Sequence, residues 1–145
     1  MSGPADDDLR AILAGTRVIA LVGASADPDR PSHRVGWFLA RRGYRVIPVN
    51  PRLAGQSLFG ETVVAALADI PPDAAVDMLD SFRRSAEVGP VVAAALEVLP
   101  GLRSVWMQLG VVDDEAAAIA RARGVAVVMD RCPAIEIPRL GVGPV

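Results

Sequence analysis

Lysine is absent from this 145-residue chain, so all 15 of its basic residues are Arg. That excludes Schiff-base chemistry and the lysine of a P-loop. Cys132 is the only cysteine, which rules out an internal disulfide and a zinc site built from thiolates. His33 is the only histidine, so no His pair can hold a metal, and no metal site is expected. No apolar run approaches the ~20 residues of a membrane span. The 15 basic residues face 17 acidic ones without a basic tail or face, so neither nucleic acid nor membrane is an expected partner. Residues 1–8 are acidic and carry no apolar signal region, so the expected compartment is the cytoplasm.

What the chain has is apolar surface, 52% of its residues, with Ala and Val heavily used. Its length suits one domain that buries about two-thirds of the unfolded surface. Short apolar runs at 17–23, 44–49, 75–79, 104–108 and 125–129 read as strands. Helical spacing separates them at 9–15, from Ser32 to Gly43, at 62–67, from Ser85 to about Leu99, and from Asp113 or Asp114 to Arg123. Ser32 and Ser85 are the expected N-caps of their helices. Beyond Cys132-Pro133 the chain is expected to be irregular. Alternating strands and helices predict an α/β fold, a three-layer Rossmann-like sandwich with a five-stranded, mostly parallel sheet. The strand order 3-2-1-4-5 is favoured, although the pattern barely separates it from 2-1-3-4-5. Residues 1–8 are expected to be loose, 9–140 to form the single domain, and 141–145 to be a tail.

Ligands of such folds bind beyond the carboxyl ends of the strands. The first strand stops at Gly23, and a long loop leads to a helix that would aim its free N–H groups at an anion. This turn carries one glycine where the dinucleotide fingerprint needs three. Arginines follow four of the five strands, giving an electropositive rim suited to phosphate. The second strand ends in Asn50-Pro51-Arg52, where an NAD site usually places a carboxylate. A neutral amide beside an Arg favours NADP or coenzyme A over NAD. Phe82 offers a face for an adenine ring, or else belongs to the core. His33 and Cys132 sit near strand ends, yet no nucleophile–base pair or paired carboxylates are specified.

Five stretches in order resemble one family closely. They are Gly23-Ala-Ser-Ala-Asp-Pro-Asp-Arg-Pro-Ser-His-Arg-Val35, Tyr44-Arg-Val-Ile-Pro-Val-Asn-Pro51, Asp80-Ser-Phe-Arg-Arg-Ser85, Val105-Trp-Met-Gln-Leu-Gly110 and Val128-Met-Asp-Arg-Cys-Pro133. Together they resemble the small stand-alone CoA-binding proteins, which are similar to the CoA-binding domain of the succinyl-CoA synthetase α subunit. The likeness covers roughly residues 9–140. It implies that Gly23, Ser25 and Arg30 contact phosphates and that Ser32 caps the helix facing them. It implies further that Asn50 and Pro51 line the nucleotide end and that Phe82 and Arg83 flank the adenosine. Gln108 and Gly110 would follow the pantetheine arm. Ser81 departs from the family, where an apolar residue is more usual.

The larger synthetases of that kind use a phosphorylated His in a second domain, for which 145 residues leave no room. The resemblance therefore implies a module that binds coenzyme A or an acyl-CoA as carrier or sensor, with no catalysis of its own and no catalytic residues to name. Two alternatives stay open. One is a small NADP-dependent or thioester-handling enzyme using His33 or Cys132. The other is a CoA-binding subunit of a larger acyl-CoA synthetase assembly, with an unknown protein partner.

Overall fold

The computed structural model describes residues 4–144. Five parallel strands form its central sheet: β1 (Val18–Val22), β2 (Arg45–Val49), β5 (Met78–Ser81), β6 (Ser104–Met107) and β7 (Ala126–Val128). A small antiparallel pair, β3 (Ser57–Leu58) and β4 (Glu61–Thr62), lies between β2 and β5 in sequence. Five helices cover the main sheet: α1 (Asp6–Gly15), α2 (Pro31–Arg41), α3 (Ser85–Val98), α4 (Asp114–Ala122) and α5 (Pro133–Leu140).

Side chains alternate across a strand, so each strand feeds two cores. Ala20 and Val22 of β1 join Val88 and Val92 of α3 and Ala117 of α4 on one face. Ile19 and Leu21 join Leu9 of α1, Leu39 of α2 and Ile137 of α5 on the other. Both faces are covered, which is why the strands read as unbroken apolar runs. The expected three-layer Rossmann-like architecture is therefore present.

The strand order is not the favoured one. The main sheet runs β2-β1-β5-β6-β7, so the second strand lies at the edge and the third pairs with the first. Pro48 supplies the reason. A proline cannot donate to a sheet ladder and is confined to edges. The Pro48 carbonyl points outward and accepts from Val64 N at 3.0 Å, so its missing N–H falls on the same open side. Val64 bridges Val49 there and covers the edge that a neighbouring strand would have taken.

Other expectations give way locally. The helix expected at 62–67 is not formed. Residues 57–62 make a hairpin whose two turn residues, Phe59 and Gly60, both have positive φ, at 55° and 77°. Phe59 tolerates that geometry because its ring is buried against Gly36 and edge-on to Trp37. Arg30, not Ser32, is the N-cap of α2, because Pro31 takes the first helical position that its fixed φ suits. Likewise Arg84 precedes α3, and the Ser85 hydroxyl accepts from Val112 N at 3.0 Å. Asp113 does cap α4, accepting from Ala116 N at 3.0 Å.

The segment after Cys132 is helical rather than irregular. Pro133 opens α5, and Ile137 and Leu140 bury its inner face. At the other end α1 begins at Asp6, three residues before the expected start. The two helices are tied by Arg139, which pairs with Asp6 at 2.8 Å and with the buried Glu136 at 3.0 Å. Residues 1–3 and 145, parts of the expected loose start and tail, lie outside the described residues. Among the described residues no helix is long and apolar enough to cross a membrane.

Candidate functional site

The carboxyl ends of β1, β2, β5 and β6 open onto one side of the sheet. At the centre, the turn after β1 meets the turn after β5. Gly23 sits at φ 87°, and a Cβ there would lie 3.2 Å from Phe82 Cβ. Only glycine combines that conformation with so close an approach. Phe82 N also donates to Val22 O at 2.9 Å, which locks the two turns together.

The loop from Gly23 to α2 is held by its own polar groups. Ser25 Oγ accepts from Asp27 N at 3.1 Å. His33 Nδ1 lies 2.8 Å from Ser25 O. A carbonyl only accepts, so Nδ1 carries the hydrogen and His33 serves the loop. Asn50 joins this loop to the one after β2. Its Nδ2 donates to Ala24 O at 2.7 Å, and its Oδ1 accepts from Arg52 N at 2.8 Å. Both ends of the amide are thus committed to building the rim.

A cavity of about 560 Å³ lies between these loops. Gly23, Ser25, Arg30, Ser32, Asn50, Phe82 and Arg83, seven of the ten residues expected at the site, line it together. Arg52 and Arg84 add two more cations, and Glu87 is its one carboxylate. Glu87 accepts from Arg84 at 2.7 Å and pairs with Arg83 at 3.2 Å. The hydrogen bond from Arg84 holds its carboxyl below the usual range. Four guanidiniums against one carboxylate leave the cradle strongly cationic. The N-terminal turn of α2 also enters it through Arg30, Pro31 and Ser32, adding the favourable end of a helix dipole for an anion.

An apolar bay continues from each end of the cradle. The first, about 610 Å³, lies between α3, through Ala86, Pro90 and Val91, and the turn containing Leu67. It shares Gly23, Asn50, Arg83 and Glu87 with the cradle and includes Pro51, and its remaining walls are apolar. The second, about 460 Å³, shares Pro31 and Phe82 with the cradle and adds Val35, Leu109 and Ile135. Gln108, Cys132 and the cation Arg34 line it too. Gly110 lines neither bay nor cradle. It makes a turn at φ 81°, and its N–H donates to Asp130 Oδ1 at 2.7 Å.

Beneath the second bay the expected site residue Gln108 meets Asp80, which is not among the expected site residues. Asp80 is fully buried in β5 and accepts from Gln108 Nε2 at 2.7 Å through Oδ1. Its Oδ2 has no hydrogen-bond partner among the described residues. Burial pushes this carboxyl up to about 7, against the pull of the Gln108 bond. Burial also raises the Cys132 thiol, and the charge of Asp80 adds to that. The amides of Ala134 and Ile135, at the start of α5, pull the other way, as does Gln108. The available clue is an Asp directly after the apolar pair Met78-Leu79, at the end of the expected strand. Ser81, next to it, is buried and accepts from Arg83 N at 3.3 Å, so the departure from the family pattern secures the backbone of a cradle residue.

The groove therefore presents an apolar bay, a cationic cradle and a second apolar bay with a polar floor. A family model described as CoA binding domain matches residues 17–138. The uncharacterized protein YneT of Bacillus subtilis is 35% identical over 132 residues, covering 91% of this chain and 93% of its own. Among solved structures, cell-free ID.343 from Thermus thermophilus is 40% identical with a TM-score of 0.86, over 94% of this chain and 99% of that one. A hypothetical protein from Pyrococcus horikoshii OT3 is 33% identical with a TM-score of 0.86, over 95% and 93%. In each case nearly the full length of both chains is matched, so the likeness is to stand-alone proteins of this size.

Proposed function

This chain belongs to the CoA-binding domain family, and on that premise we propose that it holds coenzyme A, free or acylated, across the ends of β1, β2, β5 and β6. It does so as a cytoplasmic carrier or sensor, with no reaction of its own. The observation that carries this reading is the order of chemistry along the groove. Coenzyme A has an adenine ring at one end, phosphates in the middle and a neutral pantetheine arm at the other. The bay between α3 and Leu67 is apolar and suits the ring. The cradle of Gly23, Ser25 and Arg30 suits the phosphates through backbone approach, a hydroxyl and a guanidinium. Phe82, expected beside the adenosine, lines the cradle and the second bay and not the first, so the pantetheine arm passes it toward Gln108. The neutral Asn50 and the cation Arg52 favour a phosphorylated ribose, because a carboxylate there would repel it.

Calorimetric titration with CoA, acetyl-CoA, NADP, NAD and ADP tests this side by side. Selective micromolar binding of CoA or acetyl-CoA is the expected result. Selective binding of NADP would replace the reading with an oxidoreductase one, and binding of none of the five would refute the groove as a nucleotide site.

A further inference from the structure

Two large apolar side chains stand exposed where the fold itself favours polar ones, and both line the second bay. Leu109 is 59% exposed and Ile135 is 51% exposed. Leu109 sits in the turn after β6, which closes with Val111 N donating to Gln108 O at 2.8 Å. Turns favour Gly, Pro, Asn, Asp and Ser, so this one gains nothing from a leucine. Ile135 belongs to α5, whose inner face is already supplied by Ile137 and Leu140. A single exposed apolar residue needs no explanation. These two, however, share one bay with the half-buried Val35 and Phe82 and the buried Val111. Contiguous apolar surface of this kind marks a ligand groove. The bay's polar groups do not compete for it. Gln108 Nε2 is committed to Asp80, and the exposed Arg34 donates to Asp29 O at 3.1 Å. Among the described residues the lining includes no carboxylate.

We propose that the second bay is an acyl site, so that the protein selects CoA esters of aliphatic acids over free CoA. The proposal rests on the CoA reading of the groove and adds the class of acyl group to it. The bay continues from the cradle through Pro31 and Phe82, so the arm that leaves the phosphates enters it there. A chain attached to the thiol then runs on along the same walls and covers Leu109 and Ile135. The volume, about 460 Å³, sets the length. At about 30 Å³ per non-hydrogen atom it holds about fifteen, of which the β-alanine and cysteamine parts of the arm take about nine. That leaves room for an acyl chain of about six carbons. A longer chain passes the mouth into water and gains little more. Each methylene that moves from water onto these walls should tighten binding about two- to fourfold.

Calorimetric titration of the full chain with CoA and with acetyl-, butyryl-, hexanoyl- and succinyl-CoA tests this. Hexanoyl-CoA should bind at least about tenfold tighter than acetyl-CoA, with butyryl-CoA between them. In Leu109→Ser/Ile135→Ser that ratio should fall to about threefold or less, because two apolar walls are gone. The ratio compares two ligands on one protein, so a general loss of affinity does not move it. Both residues are exposed, so the double variant keeps its core. Equal affinity for CoA and its three aliphatic esters, or tightest binding of free CoA, would overturn the acyl site and leave the CoA reading standing. Binding of no member of the series would overturn both. An unchanged ratio in the double variant would overturn the assignment of the chain to this bay. Succinyl-CoA binding tighter than butyryl-CoA would overturn the aliphatic class, with Arg34 then reading the added carboxylate.

Discussion

Gln108 Nε2 donates to Asp80 Oδ1 at 2.7 Å inside the protein, joining the end of β6 to β5 across 28 residues of sequence. The carboxyl is raised from 3.8 to about 7 by burial, so it is easier to hold neutral than charged. A group whose folded value is raised contributes stability that is complete below its unfolded value. That contribution is lost as pH climbs through the folded value. For Asp80 the window therefore runs from about pH 4 to about pH 7, and the loss is at most about 4 kcal/mol. Asp80→Asn cannot ionise. Its stability relative to the wild type should improve between about pH 4 and pH 7 in urea unfolding and level off above that. A difference that stays constant with pH would show that Asp80 is not a buried neutral acid.

Arg30 and Arg121 provide a matched pair of arginines. Arg30 lines the cradle, whereas Arg121 lies on α4 and donates to Val127 O at 3.3 Å. Arg30→Ala should weaken CoA binding by about 1.5–3 kcal/mol, the range for a charge-assisted contact. Arg121→Ala should leave the dissociation constant nearly unchanged. Calorimetric titration of both variants decides it, and equal effects would remove Arg30 from the phosphate site.

Asn50 donates to Ala24 O, so an aspartate there would aim a negative charge at a carbonyl and lose the donor. Asn50→Asp should lower the thermal midpoint, at a cost of about 1–3 kcal/mol. It should also weaken CoA more than tenfold, because the same charge borders the phosphates. Differential scanning calorimetry and a CoA titration on one sample check both parts. Unchanged CoA affinity in a folded variant would dissociate Asn50 from the site.

Gly36 faces the ring of Phe59, and a Cβ at Gly36 would overlap it. Gly36→Ala should destabilise the chain by about 1–3 kcal/mol, the cost of overpacking a buried contact. In Gly36→Ala/Phe59→Ala the clash is gone, so the double variant should lose less than the sum of the single losses. Chemical unfolding of the four proteins measures the coupling. Strict additivity would mean that the hairpin is not seated on α2 as described.

The parts legible in the sequence were those governed by short-range patterns. Apolar runs broken by helical spacing identified the α/β sandwich, and Gly23, Arg30 and Arg83 marked the rim because they follow strand ends. Pro48 also announced an edge strand, and with it the order β2-β1-β5-β6-β7. The favoured order passed over it. Residue preference alone points to Ser32 and Ser85 as caps, but Pro31 takes the first helical position of α2 and leaves Arg30 as its cap. The helix after Cys132 is hidden by its two prolines: Pro133 opens α5 at its first position, and Pro138 lies inside it, where a proline ordinarily argues against a helix.

By itself, then, the sequence determined that this chain folds as a sheet covered on both faces, with cations gathered at one end of its strands. These follow from periodicity and from what comes next along the chain, which are local properties. Only the tertiary structure decided that Asn50 clamps the loop of Ala24, that Phe59 sits over Gly36, and that Asp80, Gln108 and Cys132 share one buried corner. Those groups are far apart in sequence, and nothing local specifies their meeting. Strand pairing brings them together, and the scarcity of water there raises both the Asp80 carboxyl and the Cys132 thiol above their ordinary values.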